Sequence, residues 1–314
     1  MHSVYNSTIS DVQKNLGKVK TSLIWQCRNR SFDLSEGRNP LVMGILNVTP
    51  DSFSDGGHFF DRDIAIERGL QIADDGADVI DIGGESTRPG AAPVTVEEEL
   101  SRVVPVIEAL SEKTQVVLSV DTTKANVAEC ALTAGAHIVN DVSAMTSDPR
   151  MIKVVTASGA GVILMHMRGK PRTMQENPRY DNVVKEIREF LTYRIESLVK
   201  TGVNWNSLAV DPGIGFGKTT QHNIQLIGRL NSFRNCGRPV VIGLSRKHFL
   251  GSLTGRDVGD RLAGSLGALA YALVQGANIV RVHDVKQSRD VIRVVSTLIL
   301  ENRNYAVVEQ DCNP

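Results

Sequence analysis

Asn47, Asp121, Asn140, Asp211, Lys247, Arg281 and His283 each stand at or close to the end of a short apolar run. Their types suggest one site. Asp121, Asn140 and Asp211 offer hydrogen-bond acceptors and one amide. That set suits a flat heterocycle with N–H groups on its edge, such as a guanidine-like ring edge. Arg281 and His283 lie two residues apart on one strand, so both face the same way. With Asn47 on the neighbouring strand they make an anion pocket fit for a phosphate or diphosphate. A Mg²⁺ ion held mainly by diphosphate oxygens and partly by Asn47 also fits, because Mg²⁺ often takes few protein ligands. Loop capping by Asp and Asn is the plain alternative, as is a rim salt bridge for Arg281.

Other motifs do less. The stretch 213-GIGFGKT-219 resembles a phosphate loop, but a Walker A motif needs Gly where Pro212 stands. No HExxH and no His pair at metal-ligand spacing occurs. Ser86 lacks the G-x-S-x-G elbow of a hydrolase. His58, His137 and His222 read as surface or structural residues.

The elements that must position these groups repeat. After residue 40 a short apolar run, a polar loop and a helix-patterned segment recur. The runs are 41–46, 78–82, 116–120, 137–142, 161–165, 208–210, 240–244 and 278–282. They are rich in Val, Ile and Leu without strict alternation, as parallel strands covered by helices are. Helical spacing marks 63–74, 96–110, 124–133, 149–157, 182–200, 220–230, 260–274 and 288–300. Gly-Ala recurs before a strand at Gly76, Gly135, Gly159 and Gly276, where glycine can end a helix in the left-handed conformation. Eight such units in about 270 residues predict a single (β/α)8 TIM barrel, whose site forms at the C-terminal strand ends. A doubly wound open sheet is the second choice. A short hairpin over 22–27 and 30–34 precedes the first barrel strand. Residues 1–20 read as a flexible extension and 21–314 as one catalytic domain.

Lys+Arg and Asp+Glu are both 35, so no general nucleic-acid or membrane surface is expected. The four cysteines are scattered without a CxxC, which fits free thiols in a reducing compartment. With no signal-peptide core and no apolar run near the ~18 residues of a membrane span, a cytoplasmic protein is expected.

The chain resembles bacterial dihydropteroate synthases. The matching pieces are MGILNVTPDSFSDGG at 43–57, DIGGESTRPGA at 81–91, SVDT at 119–122, NDVS at 140–143, MHMRGKPRTMQ at 165–175, DPGIGFGK at 211–218, SRK at 245–247 and RVHDV at 281–285. The resemblance implies a homodimeric TIM-barrel transferase of folate synthesis that is inhibited by sulfonamides. It would condense 6-hydroxymethyl-7,8-dihydropterin diphosphate with 4-aminobenzoate, giving 7,8-dihydropteroate and pyrophosphate. Carried over by motif, Asp121, Asn140, Asp211 and Lys247 would hold the pterin. Asn47, Arg281 and His283 would hold the diphosphate and Mg²⁺. Thr87, Arg88 and Pro89, with Phe53 and Phe216, would shape the aminobenzoate pocket. The loop 49–57 would close over the site once the anion binds. His248, where relatives usually carry Ser or Arg, and the N-terminal extension depart from the common pattern. A pterin-dependent methyltransferase and a non-catalytic pterin-binding protein are the competing readings.

Overall fold

The structure is a computed structural model that describes residues 22–49, 58–86, 91–169 and 173–311. Residues 1–20, Phe53, Thr87, Arg88, Pro89 and the 49–57 loop beyond Thr49 lie outside the described residues, with the expectations attached to them. The side chains of 58–61 and 303–311 are likewise outside it.

A hairpin of β1 (Ile24–Cys27) and β2 (Arg30–Asp33) comes first. Eight parallel strands follow: β3 (Leu41–Asn47), β4 (Val79–Gly83), β5 (Val117–Asp121), β6 (Ile138–Asp141), β7 (Gly161–Met165), β8 (Leu208–Asp211), β9 (Val241–Gly243) and β10 (Ile279–Val282). They pair in the order β8-β7-β6-β5-β4-β3-β10-β9. A parallel bridge between Val210 and Val240 joins the two ends, so the sheet closes as a barrel. Each strand falls within or beside a run expected from the sequence. The open-sheet alternative is excluded by that bridge.

Helices α1 (His58–Asp74), α2 (Val96–Lys113), α3 (Ala125–Thr133), α4 (Met151–Ser158), α5 (Val183–Lys200), α6 (Thr220–Gly228), α7 (His248–Thr254), α8 (Leu262–Val274) and α9 (Val285–Asp311) connect and cover the strands. Thr95 and Asn182 cap α2 and α5 by accepting from Glu98 N and Lys185 N. The four glycines of the Gly-Ala repeat have φ of +96°, +118°, +65° and +87°, as the repeat requires. The short α7 has no counterpart in the helical spacing read from the sequence, and α9 starts earlier and runs longer than 288–300. His222 is structural: it completes a capping box with Thr219 at the start of α6.

The hairpin seals the amino end of the barrel. Trp25 and Cys27 are fully buried against Met43, Val79, Val117, Ile163 and Ile279. Trp25 Nε1 donates to Ser207 O at 2.8 Å, and Arg238 Nη2 to Ile24 O at 2.7 Å. Gly161 leaves room for Cys27: a Cβ there would overlap its Sγ. Gly161→Ala is therefore expected to destabilise by about 1–3 kcal/mol through overpacking. The loss should show as a lower urea midpoint at constant slope, and Cys27→Ala in the same chain should restore part of it.

Candidate active site

The carboxyl ends of the strands carry a polar network that the apolar barrel wall holds in place. Asp81, fully buried in β4, is its centre. Ser119 Oγ donates to its Oδ1 at 2.7 Å, Asn140 Nδ2 to its Oδ2 at 3.0 Å, and Arg281 Nε to the same Oδ2 at 2.6 Å. Arg281 Nη2 donates to Asp121 Oδ2 at 2.8 Å. Sequence reasoning missed Asp81 as a site residue. Its signal is a carboxylate in the middle of an apolar run, where a buried charge must be paired.

Arg281 thus does more than the sequence suggested. Its Nε and Nη2 offset two carboxylates, and only Nη1 makes no hydrogen bond to a described residue. Asp121, Asn140 and Asp211 do come together on the inner face, each with one side-chain oxygen that has no hydrogen-bond partner among the described residues. Asp211 Oδ1 accepts from Gly213 N at 2.7 Å. Lys247 follows β9, its ammonium 4.3 Å from the centroid of the Phe216 ring. Arg246, at φ +58°, makes the turn that aims Lys247, and its guanidinium pairs with Asp284 at 2.6 Å. His283 is held by Ser245, whose Oγ lies 3.0 Å from its Nδ1. Asn47 ends β3 beside Gly83. Phe216 packs with Val142, Met165 and Met174, forming an apolar wall.

Burial dominates the electrostatics. It pushes the Asp121 carboxyl up, with Arg281 opposing, and pushes Asp211 up, with the Gly213 N–H opposing. Burial, reinforced by Arg281, brings Lys247 down to about 8. Burial, with Arg281 and Arg246 adding to it, brings His283 down to about 4, so the imidazole is neutral at pH 7. Lys218 is pushed down to about 7 by burial while Asp211 opposes. Groups perturbed together in one cleft mark a functional site.

His166, at the end of β7, is not part of this mouth. Its ring packs edge-on to Phe190 at 5.0 Å, and its Nδ1 lies 3.1 Å from Lys218 Nζ. At the opposite face a cavity of about 850 Å³ carries Arg28, Arg30 and His137. Arg28 is already spent on the Leu132 and Ala136 carbonyls, and among the described residues no comparable network converges there.

No group of three or more His, Cys, Asp and Glu side chains stands together as a metal site among the described residues. Asn47 offers a neutral oxygen at the end of β3, the strand that pairs with β10 of Arg281. This donor set does not fit a metal held by the chain alone. It fits Mg²⁺ that arrives with a diphosphate and takes one protein oxygen.

A closed parallel barrel with acceptors for a planar ring at its floor and cations at one side defines a barrel enzyme for a flat, anionic substrate. A family model described as "Pterin binding enzyme" matches residues 43–283. The dihydropteroate synthase of Escherichia coli K12 is 45% identical over 277 residues, covering 88% of this chain and 97% of that protein. The crystal structure of Yersinia pestis dihydropteroate synthase in a sulfonamide drug complex superposes with a TM-score of 0.82 at 43% identity, covering 88% and 99% of the two chains. Xanthomonas albilineans dihydropteroate synthase with 4-aminobenzoic acid gives 0.82 at 46%, covering 88% and 98%. The chain belongs to the pterin-binding enzymes, on the dihydropteroate synthase branch of that family.

Proposed function

We propose that this barrel condenses 6-hydroxymethyl-7,8-dihydropterin diphosphate with 4-aminobenzoate to 7,8-dihydropteroate and pyrophosphate. The observation that carries the reading is the joining of a ring-binding floor, Asp121, Asn140 and Asp211, to a cationic side, Arg281, His283 and Lys247, through the single guanidinium of Arg281. The pterin edge donates its N–H groups to the free acceptors of the floor. Lys247 lies against the ring, and Phe216 separates it from the aminobenzoate end. Thr87, Arg88, Pro89 and Phe53 complete that end by family resemblance. The relatives solved with a sulfonamide drug and with 4-aminobenzoic acid support 4-aminobenzoate as the second substrate.

The bond from the pterin CH₂ to the diphosphate oxygen breaks, and its electron pair leaves on pyrophosphate. Arg281 and His283 meet that growing charge. Asn47 and the diphosphate oxygens would hold Mg²⁺, which would supply further charge neutralisation on the leaving group. Asp121, in the ionised form that Arg281 favours against burial, stabilises the cation left on the pterin side. The amine of 4-aminobenzoate is neutral at pH 7 and attacks with its own lone pair. It then loses a proton to pyrophosphate or water, so no residue serves as nucleophile or obligatory base.

The test is pyrophosphate release with each substrate omitted in turn, with and without Mg²⁺. Release is expected only when both substrates and Mg²⁺ are present. No release from the full mixture would overturn the reading, and release without the amine would point to hydrolysis. His283 adds a second check. Empty, it is neutral above about 4. An adjacent diphosphate raises its affinity for a proton. Inorganic pyrophosphate with Mg²⁺ is therefore expected to bind with proton uptake near pH ~6. Titration calorimetry in two buffers of different ionisation enthalpy measures this, and His283→Gln should abolish it.

We also propose that the enzyme is a cytoplasmic homodimer built on a single catalytic domain. No described helix is long and apolar enough to cross a membrane. On the outer faces of α8 and α9, Tyr271, Val274, Val294 and Leu298 are exposed, an apolar set that a second copy would cover. Sedimentation at micromolar concentration should give twice the chain mass, and Val274→Glu should return the monomer.

A further inference from the structure

The failed phosphate-loop motif leaves one lysine without a role. Lys218 is 3% exposed and meets no carboxylate at hydrogen-bond distance among the described residues. Its Nζ donates to Phe216 O at 2.8 Å and to His166 O at 3.2 Å, and lies 3.1 Å from His166 Nδ1. In its protonated form, which burial confines to pH below about 7, the ammonium has three protons for these three acceptors. Burial, then the charge of Lys218 itself, pushes His166 down to about 3. The imidazole is neutral, so Nδ1 is free to accept. The pair therefore fastens the loop after β7 to the loop after β8.

The two loops are already in close contact. Gly213 and Gly217 have φ of +69° and +67°, and a Cβ at either would overlap the carbonyl oxygen of His166 or Arg168. Tyr180 Oη donates to Gly217 O at 3.0 Å, and Asn223 Oδ1 accepts from Gly215 N at 2.9 Å. Phe216 is the one large side chain that this turn sends toward the site, and its ring faces Lys247. A methionine of similar length would fill the Lys218 space at a lower desolvation cost. What methionine cannot do is hold two carbonyls and an imidazole in one geometry.

We infer that Lys218 is a positioning residue for the reaction: by tying Phe216 O to His166 it sets the Phe216 ring as the wall between the pterin and aminobenzoate ends. The inference rests on the assignment of Phe216 to the aminobenzoate pocket made above. Lys218 touches neither substrate. Its loss acts on where the amine stands, and an error of about 1 Å there can cost up to ~100-fold in rate.

The experiment compares Lys218→Met, Lys218→Arg and Phe216→Ala by steady-state kinetics in both substrates, with thermal melts alongside. Lys218→Met is expected to raise the KM for 4-aminobenzoate about 10-fold while the KM for the pterin diphosphate moves about 2-fold or less. Lys218→Arg, which keeps the donors, should recover most of the difference. A lower Tm with an unchanged KM for 4-aminobenzoate, or equal rises in both KM values, would overturn the inference. Phe216→Ala separates the two levels of the argument. If it leaves the KM for 4-aminobenzoate unchanged, the pocket assignment fails. If it raises that KM and Lys218→Met does not, the positioning role fails. Should Lys218→Met not fold, His166→Phe removes the side-chain acceptor and must give the same selectivity between substrates, at about 3-fold.

Discussion

Asp81→Ala is expected to destabilise the protein by about 3–5 kcal/mol and to abolish measurable pyrophosphate release, because it leaves Arg281 buried beside one carboxylate in place of two. Ser119 Oγ and Asn140 Nδ2 lose their acceptor in the same step. Asn140 is then free to turn away from the ring edge, and Arg281 is free to leave the diphosphate side. Urea melts and the release assay report the two losses separately. The combination Asp81→Ala with Arg281→Met discriminates the causes. Removing both charges should return much of the stability, since the penalty lies in a guanidinium left with Asp121 as its one counterion, while activity stays absent. If the double variant is as unstable as Asp81→Ala alone, the charge-pairing account of this centre is wrong.

Asp121→Ala carries the second large effect, and here the loss falls on kcat. Asp121 binds Arg281 by one oxygen, while Asp81 continues to hold the guanidinium Nε. Stability should therefore change far less than in Asp81→Ala. The carboxylate is needed where positive charge builds on the pterin side, and removing such a preorganised charge costs about 10²–10³-fold in kcat. Because the interaction strengthens in the transition state, kcat and kcat/KM should fall together. Turnover near wild type would sink the cation-stabilising role. Asp121→Asn should fall between the two, since it keeps an acceptor for the ring edge and loses the charge. The carboxyl is pushed up by burial. Activity that depends on its ionised form therefore rises with pH on the acid side, and Asp121→Asn should remove that limb.

The barrel was readable in the sequence for a physical reason. Its strands are covered by helices outside and by one another inside, so each is a compact apolar run, and Gly76, Gly135, Gly159 and Gly276 mark the return to the next one. The short α7 was not readable, because seven residues with a glycine at 251 show no full turn of apolar spacing. At the site, residue types at the strand ends suggested Asp121, Asn140, Asp211 and Lys247, and the structure brings them together. Asp81 stayed hidden because its partners lie 38, 59 and 200 residues away in the chain. Arg281 was legible as a cation but not as the counterion of two carboxylates. Lys218 was misleading, since its sequence surroundings imitate a phosphate loop while its ammonium points back into the protein.

The hairpin that seals the amino end has a consequence for the order of events on the ribosome. Its bonds reach across 182 residues from Trp25 to Ser207 and 214 from Ile24 to Arg238. This early segment of the chain thus waits for nearly the whole chain before it can dock. Contacts so distant in sequence close late, after their loop entropy has been met by other elements. Trp25 substitutions should then leave the folding rate almost unchanged and act on the unfolding rate. In a cell the hairpin would serve as a completion latch: nascent barrels short of β8 would expose the apolar patch of Trp25 and Cys27 to chaperones, and finished ones would not.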